Sequence, residues 1–163
     1  MEFAQLLVSS EASPEMPAEQ DLFGRFVGTW RVENSLFSEA TGEWSHSALT
    51  WTFARILQGR GVQDVLETES GRQIGTTVRT WDAVAGWRVV WFSPAVPEHC
   101  VLSAEALGDD GIRLDGVQSD GRRIRWEFTA ITTNSFLWNG WCSNDEGATW
   151  WHEQHMEVAR LGS

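Results

Sequence analysis

Four polar side chains of this chain could do chemistry in an enclosed site: Arg55, Asp64, Arg79 and His152. Each lies in a run that alternates apolar and polar residues, and in each run it falls on the apolar face. A buried carboxylate or imidazole can move a proton, and a guanidinium can stabilise a developing oxyanion. We therefore predict His152 and Asp64 as catalytic candidates, and Arg55 and Arg79 as ligand-binding candidates.

The last apolar run shows how the faces are assigned. Its solvent face is predicted to carry Glu153, His155 and Glu157. His152 and His155 then point in opposite directions, so the H-x-x-H pattern is not a metal-binding pair and no metal site is expected. The inward face of this run is predicted to carry Trp150, His152, Gln154, Met156 and Val158.

A purely structural role for the same polar groups stays open. Asp64 could pair with Arg79 or Arg55 as a core ion pair, and His152 could bond a neighbouring carbonyl. Buried charges persist when they are paired, and pairing needs no ligand.

Tryptophan dominates the aromatic composition, with eleven Trp, eight Phe and no Tyr. An indole ring buries a large apolar area and carries an N–H that needs a partner when enclosed. Such a cluster forms either an aromatic core or the wall of a ligand site. Alternation predicts that the apolar wall of the interior is formed by Trp51, Trp91, Trp126 and Trp138.

Composition excludes several classes of function. The chain has 163 residues, 42% of them hydrophobic, which suits one domain with a substantial core. Its net charge is −11 and its positive residues are all arginines without a basic cluster, so nucleic acid is not an expected partner. No apolar run predicts a membrane span or signal peptide, and the expected location is cytoplasmic. The oligomeric state stays open, with a homodimer among the alternatives.

Cofactor chemistry lacks support in the sequence. No lysine is present to form a Schiff base, and no dinucleotide, P-loop, zinc-protease or hydrolase motif occurs. No cofactor is therefore expected. Cys100 and Cys142 could form a disulfide on adjacent strands, but in a cytoplasmic protein we expect two buried free thiols.

The fold class predicted is all-β, a single up-and-down antiparallel barrel of about ten strands. Tight Gly- and Asp-rich turns separate the strands, and closure removes the two edges that an open meander would expose. Residues 1–18 are predicted to be a flexible leader, residues 19–160 the barrel, and Ala18–Val27 a helix that caps one mouth. The expected strands are 28–38, 47–57, 60–69, 73–82, 86–93, 98–107, 111–118, 121–131, 135–143 and 149–159.

Several motifs resemble a known family. They are F-x-x-x-V-G-T-W at 23–30, L-x-G-R-x-V-Q-D-V at 57–65, G-x-x-x-R-x-W-D at 75–82, W-x-V-x-W at 87–91 and S-x-D-x-G-x-T-W at 143–150. In this order they resemble a bacterial lipocalin-like family, domain of unknown function 1579. The resemblance implies a calycin-type barrel and no particular activity. The opening also resembles the haem-binding nitrobindins, but it lacks their G-x-W-x-G-x-G signature.

The last of these motifs, at 143–150, also resembles the Asp-box hairpin of sialidase propellers. We interpret it as structural, because a single copy cannot build a propeller.

Three functions remain open at this stage. The first is a protein that binds a small, largely hydrophobic or aromatic molecule in a Trp-lined cavity. The second is a cofactor-independent cyclase, isomerase or lyase, of the kind found in secondary metabolism, that uses an inward His or Asp as acid or base. The third is a structural domain with a filled core. An interior cavity would separate the first two from the third.

Overall fold

Ten antiparallel strands form a closed barrel in the computed structural model, which describes residues 1–162. Each strand pairs with the next along the chain, and the last strand pairs with the first to close the barrel. The predicted up-and-down topology is therefore confirmed. The strands are β2 (Gly28–Phe37), β3 (Trp44–Ile56), β4 (Gly61–Thr68), β5 (Gln73–Asp82), β6 (Gly86–Ser93), β7 (Glu98–Ala106), β8 (Ile112–Gln118), β9 (Arg123–Thr129), β10 (Ser135–Ser143) and β11 (Trp151–Arg160).

The alternation that predicted the strands also decides what each strand buries. On β2, Trp30 and Val32 are completely buried, while Arg31 and Glu33, which alternate with them, are exposed and pair with each other at 3.1 Å. Because successive side chains of a strand point to opposite faces, this pattern fixes the register as well as the strand itself.

Short turns join the strands as their composition predicts. Between β5 and β6, the Asp82 carboxylate accepts hydrogen bonds from the backbone N–H groups of Val84 and Ala85, at 2.9 and 2.8 Å. Gly86 follows with φ of +69°, a conformation that favours glycine. These bonds replace the strand pairing that the backbone loses in the turn.

The N-terminal segment differs in detail from its prediction. The short helix is α1 (Phe3–Leu7), followed by β1 (Val8–Ser9), which pairs with the end of β3. The helix expected over Ala18–Val27 is instead two separate 3₁₀ turns, Ala18–Gln20 and Gly24–Phe26. A 3₁₀ turn places residues three apart on one side, which directs both Phe23 and Phe26 into the barrel. The division into a flexible leader and a barrel domain stays a prediction.

One end of the barrel is filled by aromatic rings, which we call the aromatic plug. Phe26 lies at its centre, with ring centroids 4.8 Å from both Phe128 and Phe136. Phe23 contacts Trp87 edge-on at 5.0 Å. The plug thus closes this end with the chain's own side chains. Its members are Phe23, Phe26, Trp30, Phe53, Trp87, Phe128 and Phe136.

The backbone that carries the plug is anchored by one arginine. Arg160 on β11 donates to the carbonyls of Arg25, Val27 and Thr133 at 2.8 to 3.0 Å. Its guanidinium also lies 4.0 Å from the centre of a Trp30 ring. These contacts fix the 3₁₀ turns to the last strand and hold the plug in the barrel.

Candidate functional site

A cavity of about 930 Å³ occupies the end of the barrel opposite the aromatic plug. Its volume lies near the upper end of the range of roughly 300 to 1,000 Å³ that is common for small-molecule sites. Its wall is mostly apolar, with contributions from Leu49, Leu66, Ile124 and Met156. The interior of the barrel is therefore not filled by its own side chains, in contrast to the structural alternative considered from the sequence.

The four tryptophans predicted for the wall all line this cavity: Trp51, Trp91, Trp126 and Trp138. The rings of Trp126 and Trp138 lie 5.5 Å apart and are tilted by 54°. They form a continuous aromatic surface on one side of the cavity.

Two glycines make room for these rings. A Cβ atom at Gly140 would lie 2.9 Å from the Cη2 atom of Trp138, and one at Gly75 would lie 2.4 Å from the Cη2 atom of Trp91. Real Cβ atoms do not approach other atoms so closely. Any larger residue at either position would displace an indole of the cavity wall.

A buried ion pair lies between the plug and the cavity. Arg79 Nη2 donates to Asp64 Oδ2 at 2.6 Å, and both side chains are almost completely buried. Asp64 Oδ1 accepts the backbone N–H of Thr77 at 2.9 Å. The Arg79 guanidinium also lies 5.0 and 5.2 Å from the rings of Phe23 and Phe53. The Asp64–Arg79 pairing that the sequence left open is thus present, and only Arg79 reaches the cavity lining.

Three buried donors beside the cavity have no hydrogen-bond partner within the described part of the chain. They are Trp51 Nε1 and the Nε and Nη1 atoms of Arg79. Both residues contribute to the cavity lining. Most buried polar groups of folded proteins are paired, so an unpaired group at a cavity calls for an explanation. A ligand oxygen that accepts a hydrogen bond would provide one.

Arg55 does not line the cavity. Its guanidinium binds the Asp21 carboxylate through two hydrogen bonds, at 3.0 and 2.7 Å. This hydrogen-bonded ion pair raises the Arg55 pKa. Asp21 lies between the two 3₁₀ turns, so Arg55 fastens the closed end of the barrel. The structure thus places Arg55 away from the cavity lining, where the sequence predicted it.

His152 lies on the outer face of the barrel, not in the lumen. The pairing of β10 with β11 shifts between Gly140 and Trp141, opposite Gln154 and His152, so the strand carries one extra residue there. Counting back along β11 from Val158, the side chains face the barrel interior and the outer surface alternately, as predicted, as far as Gln154. Before Gln154 in the sequence, the two faces are reversed. The position predicted for His152 is wrong for this reason: a β-bulge turns every residue beyond it to the other face.

Contacts on the outer surface account for the His152 side chain. Its Nε2 atom lies 2.9 Å from Asn139 Oδ1, and its ring stacks on Trp141 with centroids 5.5 Å apart. Trp44 packs against its other side at 5.2 Å. Burial by these rings and the neighbouring charge of His155 lower the His152 pKa.

The same bulge directs Glu153 into the cavity, although alternation predicts it for the solvent face. Burial and the nearby Glu98 carboxylate raise the pKa of Glu153 to about 7. Glu98 lines the cavity too, and burial raises its pKa. Sequence alternation missed Glu153; the only local signal is Gly140 on the partner strand, since glycine within a strand often marks a bulge.

Both cysteines are buried and free, as predicted, and they lie on strands β7 and β10, which are not adjacent. Burial raises the pKa of Cys142 to about 11, and it raises that of Cys100 as well. Both are therefore protonated at neutral pH and unreactive. Gln118 lies between them, with Nε2 3.8 Å from Cys142 Sγ.

The S-x-D-x-G-x-T-W hairpin shows the local geometry expected of it. Asp145 accepts hydrogen bonds from Ser143 Oγ and from both the N–H and hydroxyl of Thr149. These bonds lower the Asp145 pKa to about 2. The motif holds the turn that leads into the bulged strand.

Residues 1–162 contain neither a metal-ligand cluster nor a membrane-spanning helix. No group of three or more His, Cys, Asp or Glu side chains there is placed to hold a metal ion. No helix in this range is long and apolar enough to cross a membrane.

Comparison with known proteins supports the fold and leaves the family open. No family model matches the chain. No curated protein is detectably similar to it. The resemblance to family 1579 therefore stays a prediction.

Solved structures do match. Rv2717c from M. tuberculosis superposes with a TM-score of 0.61 at 11% sequence identity, covering 93% of this chain and all of that one. At this identity the likeness shows a shared fold, which fits a lipocalin-like or calycin-like barrel. EF1p2_mFAP2b bound to DFHBI matches with a TM-score of 0.41 at 12% identity, over 89% of this chain and all of that one. This second likeness is too weak to support a functional argument.

Proposed function

We propose that this barrel binds a small, largely apolar or aromatic molecule in its cavity. The observation that carries the proposal is the cavity of about 930 Å³ walled by Trp51, Trp91, Trp126 and Trp138. Enclosing an aromatic ligand removes apolar surface from water on both partners, at about 25 cal/mol per Å². Offset and edge-on contacts between aromatic rings add to this gain.

The unpaired N–H of Trp51 gives the site a polar feature beyond its apolar wall. Preformed sites of this kind combine an apolar surface with a few polar groups that orient the ligand. An acceptor oxygen on the ligand would satisfy the Trp51 donor. In this proposal Asp64 keeps Arg79 in place and does not contact the ligand.

Titration with a neutral aromatic probe, 2-naphthylmethanol, tests the proposal. We expect saturable quenching of tryptophan fluorescence and a matching heat of binding by calorimetry. Leu66→Trp narrows the cavity and should weaken binding, whereas Val65→Trp, on the outer face of the same strand, should leave it unchanged. Equal binding by both variants would place the probe outside the cavity and overturn the proposal.

A second function is favoured by one specific observation. Glu153 lies in the cavity with a pKa of about 7, which suits a group that takes up and releases a proton near neutral pH. A cofactor-independent isomerase, cyclase or lyase would use Glu153 in the role that the sequence assigned to His152 or Asp64. Product analysis with a bound ligand tests this: Glu153→Gln should abolish turnover and retain binding.

The cytoplasm remains our proposed location, because two free buried thiols suit a reducing compartment. Membership of family 1579 is proposed on the motifs alone.

A further inference from the structure

We infer that the cavity selects lipophilic cations, such as amines with an aromatic body, over neutral and anionic molecules of the same shape. This inference rests on the proposed binding function and names its ligand class. It follows from the charges of the lining. The lining includes the acidic residues Glu69, Glu98 and Glu153, while Arg79 is its single cationic residue within residues 1–162. Arg79 is already compensated by Asp64 at 2.6 Å.

The geometry places two of these carboxylates inside the barrel and not on its outer surface. Glu98 begins β7 on the same face as the buried Cys100. Glu153 is turned inward by the bulge on β11. Burial and the Glu98 carboxylate disfavour ionisation of Glu153, so the unliganded cavity carries an uncompensated negative charge at high pH or a bound proton at low pH.

Other groups around Glu153 do not supply the missing positive charge. Arg122, in the turn between β8 and β9, is the nearby cation, and it is bound by Glu39 and by Asp120 at 2.5 and 2.9 Å. Two acidic groups for one arginine leave this side negative. The groups that act on Glu153 by charge are Glu39 from the β2–β3 turn, Glu98 from β7, and Asp120 and Arg122 from the β8–β9 turn.

The apolar wall is also suited to a cation. A cation over an indole face is stabilised by the ring quadrupole, by about 0.5 to 2 kcal/mol depending on solvation. The rings of Trp126 and Trp138 lie in the same cavity as the two carboxylates. The unpaired N–H of Trp51, a residue 95% buried in the lining, supports ligand binding in this cavity but not the charge of the ligand, because an ammonium group has no lone pair to accept a hydrogen bond. The net charge of −11 would draw cations toward the protein.

Three probes with one aromatic body test the inference at pH 8: 2-naphthylmethylammonium, 2-naphthylmethanol and 2-naphthoate. We expect affinity to fall in that order, with the ammonium preferred over the alcohol by about tenfold. Between pH 6 and pH 8 the affinity for the ammonium should rise as Glu153 ionises. The affinity for the alcohol should stay level or fall, because ionised Glu153 is a worse neighbour for a neutral ligand.

Glu153→Gln keeps the shape of the side chain and removes its charge. We expect it to abolish most of the preference for the ammonium and its rise with pH, with alcohol affinity changed less than about twofold. Glu157→Gln, an exposed carboxylate on the same strand, is the matched control and should behave like the parent protein.

Equal affinity for the three probes, or tightest binding of naphthoate, overturns the inference and leaves the binding function standing. Equal loss of alcohol and ammonium binding in Glu153→Gln overturns it as well, because it shows a structural role. If no probe saturates the protein, the proposed function fails and this inference fails with it.

Discussion

The two ends of this barrel use the same residue type for opposite purposes. In the aromatic plug, Trp30 Nε1 donates to the carbonyl of Phe26 and Trp87 Nε1 donates to that of Gln20, both at 2.7 Å. At the cavity, Trp51 is buried to a similar degree, and its N–H has no acceptor among the residues that the structure describes. These two acceptor carbonyls belong to the 3₁₀ turns Ala18–Gln20 and Gly24–Phe26, which lie at the plug end of the barrel. The indole N–H groups of Trp30 and Trp87 in the plug are therefore hydrogen-bonded within the protein, whereas the indole N–H of Trp51 at the cavity is unpaired in the described residues.

The ends also differ in how they treat charge. The plug consists of aromatic rings. The Arg79 guanidinium lies against two of them, Phe23 and Phe53, and Asp64 compensates its charge. The cavity contains carboxylates without a matching cation in the lining. A region that serves stability alone satisfies its polar groups internally, because unpaired ones are costly. The difference supports our proposal that the ligand binds at the cavity end of the barrel.

Removal of one partner of the buried ion pair should have the largest effect on stability. Arg79→Met leaves Asp64 buried without its counter-charge, and we expect a loss of about 3 to 5 kcal/mol in the free energy of unfolding. Urea denaturation measures it. The double variant Asp64→Leu with Arg79→Met should recover much of the loss. If the double variant is no more stable than Arg79→Met, the ion pair is not the cause.

Truncation in the plug should cost more than truncation at the cavity. Phe26→Ala removes a completely buried ring from close packing and should cost about 3 to 5 kcal/mol. Trp126→Ala removes a partly buried ring that already borders a void, and we expect a cost below about 2 kcal/mol. Thermal or urea unfolding of the pair checks the order. Equal costs would mean that the two ends are equally well packed.

The pH dependence of stability should report the buried carboxyl of the cavity. The folded-state pKa of Glu153 is raised to about 7 from an ordinary value of 4.5, so the unfolded chain loses this proton first as pH rises. The contribution to stability is full below pH 4.5, declines between pH 4.5 and 7, and is then lost. At about 1.4 kcal/mol per pKa unit, the decline should be on the order of 3 kcal/mol. Glu153→Gln should show a smaller decline in the same range.

Two matched substitutions separate paired from unpaired indoles. Trp30→Phe leaves the Phe26 carbonyl without its donor, so we expect a loss of roughly 1 to 3 kcal/mol beyond the smaller ring. Trp51→Phe removes a donor that has no partner, and its stability should change by less than about 1 kcal/mol. Denaturation curves for both variants test this. A Trp51→Phe cost as large as that of Trp30→Phe would show that the Trp51 N–H is paired in solution.

The residues of the candidate site were predictable wherever side chains alternate regularly between the two faces of a strand. Trp51, Trp91, Trp126 and Trp138 were all assigned correctly to the interior wall, because each lies on a regular strand with an apolar face. Asp64 and Arg79 were assigned inward for the same reason. Arg55 shares a face with Trp51 but lies near the end of its strand, where it reaches Asp21 instead of the cavity.

One extra residue in β11 places His152 on the outer face and Glu153 in the cavity, the reverse of their predicted positions. A bulge reverses the facing of all residues beyond it, and its position depends on the fit between two paired strands. Local composition does not contain that information. The prediction of a helix over Ala18–Val27 was wrong because tertiary packing overrode local propensity. Packing of Phe23 and Phe26 in the barrel favoured two 3₁₀ turns over a continuous helix.

By itself, the sequence determined the strands, their turns, the closure of the barrel and the residues of its aromatic wall. These follow from alternation and turn chemistry, which act over a few residues. Only the tertiary structure decided that one end is plugged and the other open, that Asp64 pairs with Arg79, and that Glu153 faces the cavity. Those features depend on contacts between residues far apart in the chain, where a single shift in register changes which side chains meet.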